Sequence, residues 1–177
     1  MSSLLALLAA VNPLAVAVAL WPRERRLLTA VAAAIALAVA VVCAAVSDPI
    51  LDALDVTLGT FRVAAAVVLG LAGARWLVVG APNVSADGPV AGPGRMVVPL
   101  LIPVLITPQL VMVSVSVGAD EGVVLVGVGA AVSLALAWVA TVVPKRHRGG
   151  WTAGVRFVGA LAVAAAVGLA VDGVRTA

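Results

Sequence analysis

The sequence predicts an all-α, polytopic membrane protein of six transmembrane helices, arranged as two inverted three-helix halves whose first helices, the first and fourth of the chain, are broken. Three observations carry that prediction. Of 177 residues, 64 % are hydrophobic and 11 % charged, with a mean hydropathy of +1.24, whereas a soluble domain runs at roughly 45–50 % apolar and about a quarter charged. The apolar residues fall into six stretches, each close to the roughly 20 residues that one bilayer crossing needs. Basic and acidic loops alternate between those stretches.

The first stretch runs from about Ser3 to Leu20 and stops at Trp21-Pro22, before Arg23, Glu24, Arg25 and Arg26. A cleaved leader carries its positive charge ahead of the apolar run; here no Lys or Arg precedes Arg23, and Asn12-Pro13 interrupts the run, so it reads as a span. The second stretch, Leu27 to about Val46, is nearly pure alanine, valine and leucine. An acidic connector with Asp48, Asp52 and Asp55 leads to the third, about Thr57 to Gly80, with Arg62 near its start and Arg75-Trp76 near its end. Pro82, Pro89 and Pro93 mark a linker that divides the chain into residues 1–80 and 96–177, with 81–95 between them. The second half holds a fourth stretch (about Met96 to Gly118), a tight Ala119-Asp120-Glu121-Gly122 turn, a fifth stretch (about Val123 to Val143), the basic loop Lys145-Arg146-His147-Arg148, and a sixth (about Trp151 to Val171).

Loop charge sets an orientation. Odd loops carry Arg23, Arg25, Arg26, Arg75, Arg95, Lys145, Arg146 and Arg148, whereas the opposite side carries only Arg175. Lys and Arg are retained on the cytoplasmic side, so the expectation is a multi-pass protein of the plasma (inner) membrane with both termini outside.

The polar inventory excludes several chemistries. A single cysteine, Cys43, allows no intrachain disulfide or cysteine metal cluster, and a single histidine, His147, leaves no His pair for a metal and no serine–histidine dyad. No carboxylate pair, His-Glu-x-x-His or Gly-x-Ser-x-Gly motif points to an intramembrane enzyme. No cofactor and no metal are expected. Basic residues split between separate loops answer to bilayer orientation rather than to nucleic acid.

Two polar landmarks recur between the halves. Asn12-Pro13 and Thr107-Pro108 are 95 positions apart, and Arg62 and Arg156 are 94 apart. Three spans per half place the second half upside down relative to the first, the arrangement of inverted-repeat transporters. Proline inside a helix removes a backbone hydrogen bond, and in lipid the exposed groups need other protein groups or a watery cavity. Asn12 brings an amide to one break; Thr107 and Gln109 bring a hydroxyl and an amide to the other. Helix ends near mid-depth present N–H groups to a carboxylate and carbonyls to an ammonium, so a zwitterion suits both. The candidate substrate-binding residues are therefore Asn12, Pro13, Thr107, Pro108 and Gln109. Proline kinks repaired by neighbouring side chains are the plainer alternative. Arg62 and Arg156 either snorkel to headgroups or act in gating or capping of a broken helix end.

Asn12-Pro13-Leu14, Phe61-Arg62-Val63-Ala64, Pro99-Leu100-Leu101-Ile102-Pro103 and Val155-Arg156-Phe157-Val158-Gly159 through Val171-Asp172-Gly173-Val174 lie in order along the chain. Together they resemble the MarC family of integral membrane proteins, over nearly the whole chain. The resemblance implies a membrane protein of the neutral amino acid transporter type. Where that family usually has Gly-Pro-Gly in the fourth span, this chain has Thr107-Pro108-Gln109, and Ala15 replaces the glycine of an Asn-Pro-x-Gly run. A secondary transporter of small solutes is thus the expected function, with a structural or assembly protein held by small-residue packing as the alternative. Expected partners are a small solute, with or without a coupling ion, and the lipid bilayer; a homo-oligomer is left open.

Overall fold

A computed structural model describes residues 2–14, 26–80, 106–142 and 148–177. Among them the chain is all-helical: α1 (Ser2–Val11), α2 (Arg26–Ala45), α3 (Ser47–Leu54), α4 (Leu58–Val78), α5 (Pro108–Glu121), α6 (Val123–Val142) and α7 (Arg148–Thr176). Three of these helices are long and apolar enough to cross a membrane, over Leu58–Val78, Val123–Ala140 and Gly150–Thr176. A fourth crossing is available if the bent pair Ala30–Ala45 and Ser47–Leu54 is one span. With 10 and 14 residues, α1 and α5 rise only about 15 and 21 Å, short of the roughly 30 Å of a hydrocarbon core. The rest of the first and fourth stretches, with Ala15, Pro99 and Pro103, lies outside the described residues, as do the linker and the basic loop through His147.

The connector after the second stretch is helical, where the sequence reads only as an acidic loop. Ser47 donates its hydroxyl to the Ala44 carbonyl at 2.8 Å, and α3 leaves α2 at 58°. Asp55, at φ 52°, ends α3 in the left-handed region; its N–H reaches the Asp52 carbonyl (3.1 Å) and that of Val56 the Leu51 carbonyl (3.2 Å). These bonds satisfy carbonyls that a helix end would otherwise leave open. Thr57 then caps α4, its hydroxyl accepting from the Thr60 N–H at 3.2 Å. A second difference lies at the end of α5, where Ala119, Asp120 and Glu121 are helical and the chain turns only at Gly122, at φ 88°, a backbone angle that suits glycine.

The most extensive packing joins α4 to α7. Gly59, Ala66 and Gly73 on one and Gly159, Ala166 and Gly173 on the other are buried, each set spaced by seven residues. A Cβ on Gly73 would lie 2.8 Å from the Gly159 carbonyl, and one on Gly159 would lie 2.9 Å from the Gly73 carbonyl. Gly59 and Gly173 face each other in the same reciprocal way, each 2.8 Å from the other's carbonyl. The helices are therefore antiparallel and meet backbone to backbone. Seven residues are about two helical turns, so one small-residue seam stays on the contact along its length.

Small residues line several helix contacts, although Leu7, Leu69, Leu110, Phe61 and Trp76 are also buried. Ala32, Ala36, Ala40 and Ala44 form the buried stripe of α2, while Ile35, Leu71, Val124, Val132, Trp138 and Phe157 stand exposed on the outer faces. Small residues at close helix contacts, with large apolar residues facing outward, suit helices packed in lipid. α5 sits at the centre, against α1, α2, α3, α4 and α6. Its residues Val113 to Val117 are buried without a break, on every side of the helix.

The ends of the bundle differ in charge. Ser3 donates to Glu121, Arg62 pairs with Asp120, and Gly118 lies against Ala44, so the starts of α1 and α4 and the ends of α2 and α5 share one end. Gly59 against Ala177 adds the end of α7. Asp48, Asp52, Asp55, Asp120, Glu121 and Asp172 gather there. Arg75, at the close of α4, and the start of α7 occupy the other.

Candidate functional site

The break predicted at Asn12 is present. α1 closes at Val11, Asn12 sits at φ 43° with its N–H donating to the Leu8 carbonyl at 3.1 Å, and residues 13 and 14 are helical again. Both neighbours of the break explain it. Pro13 disfavours the α conformation at the residue before it, and asparagine is one of the few side chains that tolerate the left-handed region. Asn12 is 0 % exposed, so a polar residue and a helix terminus are enclosed together.

The second landmark is a helix start. Thr107 is extended (φ −99°, ψ 148°), its hydroxyl accepts from the Leu110 N–H at 3.3 Å, and Pro108 follows at the first helical position. Proline suits that position because its missing N–H would have no intrahelical partner there. Accepting from Leu110 uses one lone pair of the Thr107 hydroxyl and leaves its hydrogen free to donate. Thr107 is half-buried, Pro108 is exposed and Gln109 is buried.

The relation between the two landmarks follows from α1 and α5. Ser3 meets Glu121 at the last turn of α5, and α1 packs along that helix, so α1 must run back beside it, antiparallel. Asn12 is nine residues past Ser3, about 13 Å along the axis, which brings it level with Met112. The α1 terminus therefore lies beside the first half of α5, little more than a turn from Pro108. Carbonyls at the end of α1 and N–H groups at the start of α5 both point toward the end of the bundle opposite the aspartates, the first suited to a cation and the second to an anion.

The two arginines have different surroundings. Arg62 is buried and its guanidinium is paired with the Asp120 carboxylate, whose side chain is 43 % exposed. The pair joins the first turns of α4 to the last turn of α5. Arg156 is exposed on α7, beside Phe157, which is also exposed.

Sequence reading did not single out Asp120 as a partner for Arg62, because the turn it expected would have put that carboxylate outside the helix. Nor did it single out Ser114 and Ser116. Both are buried in α5, at 0 % and 1 % exposure, and neither hydroxyl has a hydrogen-bond partner among the described residues. Ser133 shows the ordinary solution, donating to the Gly129 carbonyl one turn back at 2.8 Å. Two serines spaced by one valine within an apolar helix that follows a proline break were the available signal. Comparison with protein-family models, with curated proteins and with solved structures gives no match to this chain.

Proposed function

We propose that this chain is a secondary transporter of small zwitterionic solutes such as neutral amino acids, built as two inverted three-helix halves of six spans and related to the MarC family. The solute binds between the ends of α1 and α5. Asn12, Thr107 and Gln109 supply side-chain hydrogen bonds, Pro13 and Pro108 hold the two breaks, and Arg62 acts in gating at the acidic end. The chain lies in the plasma membrane with both termini outside.

The observation that carries the reading is the enclosed break at Asn12, where a left-handed polar residue and a helix terminus are buried together. Such a break in a helix at membrane depth answers to a cavity or to other protein groups. Three further facts support the inverted halves. α2 and α6 are both 20 residues long. The contacts of α2 with α5 have their counterpart, span for span, in those of α6 with α1, and the contacts of α4 with α5 in those of α7 with α1. α4 pairs with α7 and α2 with α6, as elements on a shared two-fold axis would.

The test is uptake of labelled glycine, alanine, serine and related solutes into liposomes, comparing wild type with Asn12→Gly and Thr107→Ser. Glycine accepts the left-handed backbone at position 12, so Asn12→Gly removes the amide without straining the break. Loss of that group leaves its ligand partner unsatisfied and lowers affinity by about 5- to 150-fold, equivalent to about 1–3 kcal/mol. Thr107→Ser keeps both the cap and the donor and transports like wild type. Equal uptake of every solute by wild type and a folded Asn12→Gly protein leaves the breaks as packing features and favours the non-transport alternative.

A further inference from the structure

We propose that Ser114 is a solute-contacting residue, a fourth polar side chain of the site formed by Asn12, Thr107 and Gln109. The proposal rests on the transport reading for the identity of its ligand, and on three structural observations for its place.

The first is helical phase. Residues seven apart on an α-helix point within about 20° of each other, so Thr107, Ser114 and Glu121 share one face of α5. Glu121 accepts from Ser3 of α1, and Gly118, one turn on from Ser114, lies against Ala44 of α2, so that face turns toward α1 and the adjoining edge of α2. The second is depth. With α1 antiparallel to α5 and Asn12 level with Met112, Ser114 lies about 3 Å along the axis from Asn12. The third is chemistry: the Ser114 hydroxyl is 0 % exposed and has no partner among the described residues. A buried hydroxyl left unsatisfied is unfavourable, and Ser133 shows that this fold can satisfy one through its own helix. A hydroxyl placed toward the broken helix and left unpaired is poised for a ligand. As an acceptor it complements the ammonium of a zwitterion drawn to the carbonyl end of α1; as a donor it serves the carboxylate.

Ser116 provides an internal control. It is equally buried and, among the described residues, equally without a partner, but it lies about 200° round α5 from Ser114, on the side of Asp120, which pairs with Arg62; Gln109 is on that side too, but two turns earlier, past the level of Asn12 where α1 has closed. That face turns toward α4, away from α1 at this depth.

The experiment places a cysteine at 114 or at 116 in a Cys43→Ser protein in liposomes and follows modification by a small cationic methanethiosulfonate. Ser114→Cys should react, and millimolar L-alanine should slow the reaction, while Ser116→Cys should react about tenfold more slowly or not at all. In parallel, Ser114→Ala should melt no lower than wild type, since it removes an unpaired polar group, yet lose about 5- to 150-fold in apparent affinity for L-alanine uptake; Ser116→Ala should leave uptake unchanged. Equal reactivity at the two positions, or equal effects of the two alanines, overturns the proposal. Selective reaction at 114 with no protection by L-alanine and no uptake by wild type locates a water-filled pocket at Ser114 and overturns the transport reading instead.

Discussion

Gly73→Ala should destabilise the protein, although alanine is the better helix former. A Cβ at this position would stand 2.8 Å from the Gly159 carbonyl oxygen, 2.9 Å from the Ala162 Cβ and 3.0 Å from Val163 Cγ2. Two of those three atoms are backbone or directly attached to it, so relief requires α4 and α7 to part by about half an ångström along the seam, with loss of contact on either side. Overpacking of this kind costs about 1–3 kcal/mol, and the helix propensity gained on replacing glycine returns about 0.5–1 kcal/mol. The net is a loss of about 0.5–2 kcal/mol. Gly168→Ala, on α7 where a Cβ meets nothing within 4 Å, gains the propensity alone and should stabilise by about 0.5–1 kcal/mol. Thermal melting of purified protein followed by circular dichroism reads both, at roughly 2–4 °C per kcal/mol for a chain of this size. The informative quantity is the difference in sign. A Gly73→Ala protein at least as stable as Gly168→Ala would refute the backbone-to-backbone seam.

Two other outcomes follow from the charged end of the bundle. Asp120→Asn strips the buried Arg62 of its ionic partner and should cost about 1–3 kcal/mol in the same assay, whereas Asp48→Asn, at an exposed position in the first turn of α3, should be close to neutral; equal effects would mean that the ion pair carries no stability. In intact cells lacking Cys43, a cysteine at Asp48 should react with an impermeant reagent from outside and one at Gly150 should not; the reverse pattern inverts the proposed topology.

Hydropathy made most of the helices legible. The third stretch, about Thr57 to Gly80, coincides with α4 to within two residues, and the fifth with α6, because uninterrupted apolar runs bounded by Thr57, Gly80 and Gly122 leave little choice of ends. α3 was hidden by its composition. Its aspartates make it read as a loop, and what makes it a helix is a tertiary contact, Leu51 packing with Phe61 of α4 and Val115 of α5. The break at Asn12 and the helix start at Thr107 were visible because proline acts locally through its missing N–H and fixed φ. The pairing of Arg62 with Asp120 was not, since it joins residues from different halves of the chain. Nor could composition distinguish Ser114 from Ser133, which differ only in whether the hydroxyl turns back onto its own helix.

The seam between α4 and α7 also sets an order of events during synthesis. Gly59 meets Gly173 and Gly73 meets Gly159, so α4 is finished roughly a hundred residues before its partner is complete, an interval of about 5–20 s at ordinary elongation rates. Over that time its glycine- and alanine-lined face stands uncovered. The only charged side chain on that face is Arg62, so waiting is tolerable for most of its length. The exception finds its carboxylate earlier, when Asp120 emerges about forty residues after the end of α4. The charged group is thus neutralised first and the tight apolar closure comes last, which makes α7 the element whose arrival completes the protein.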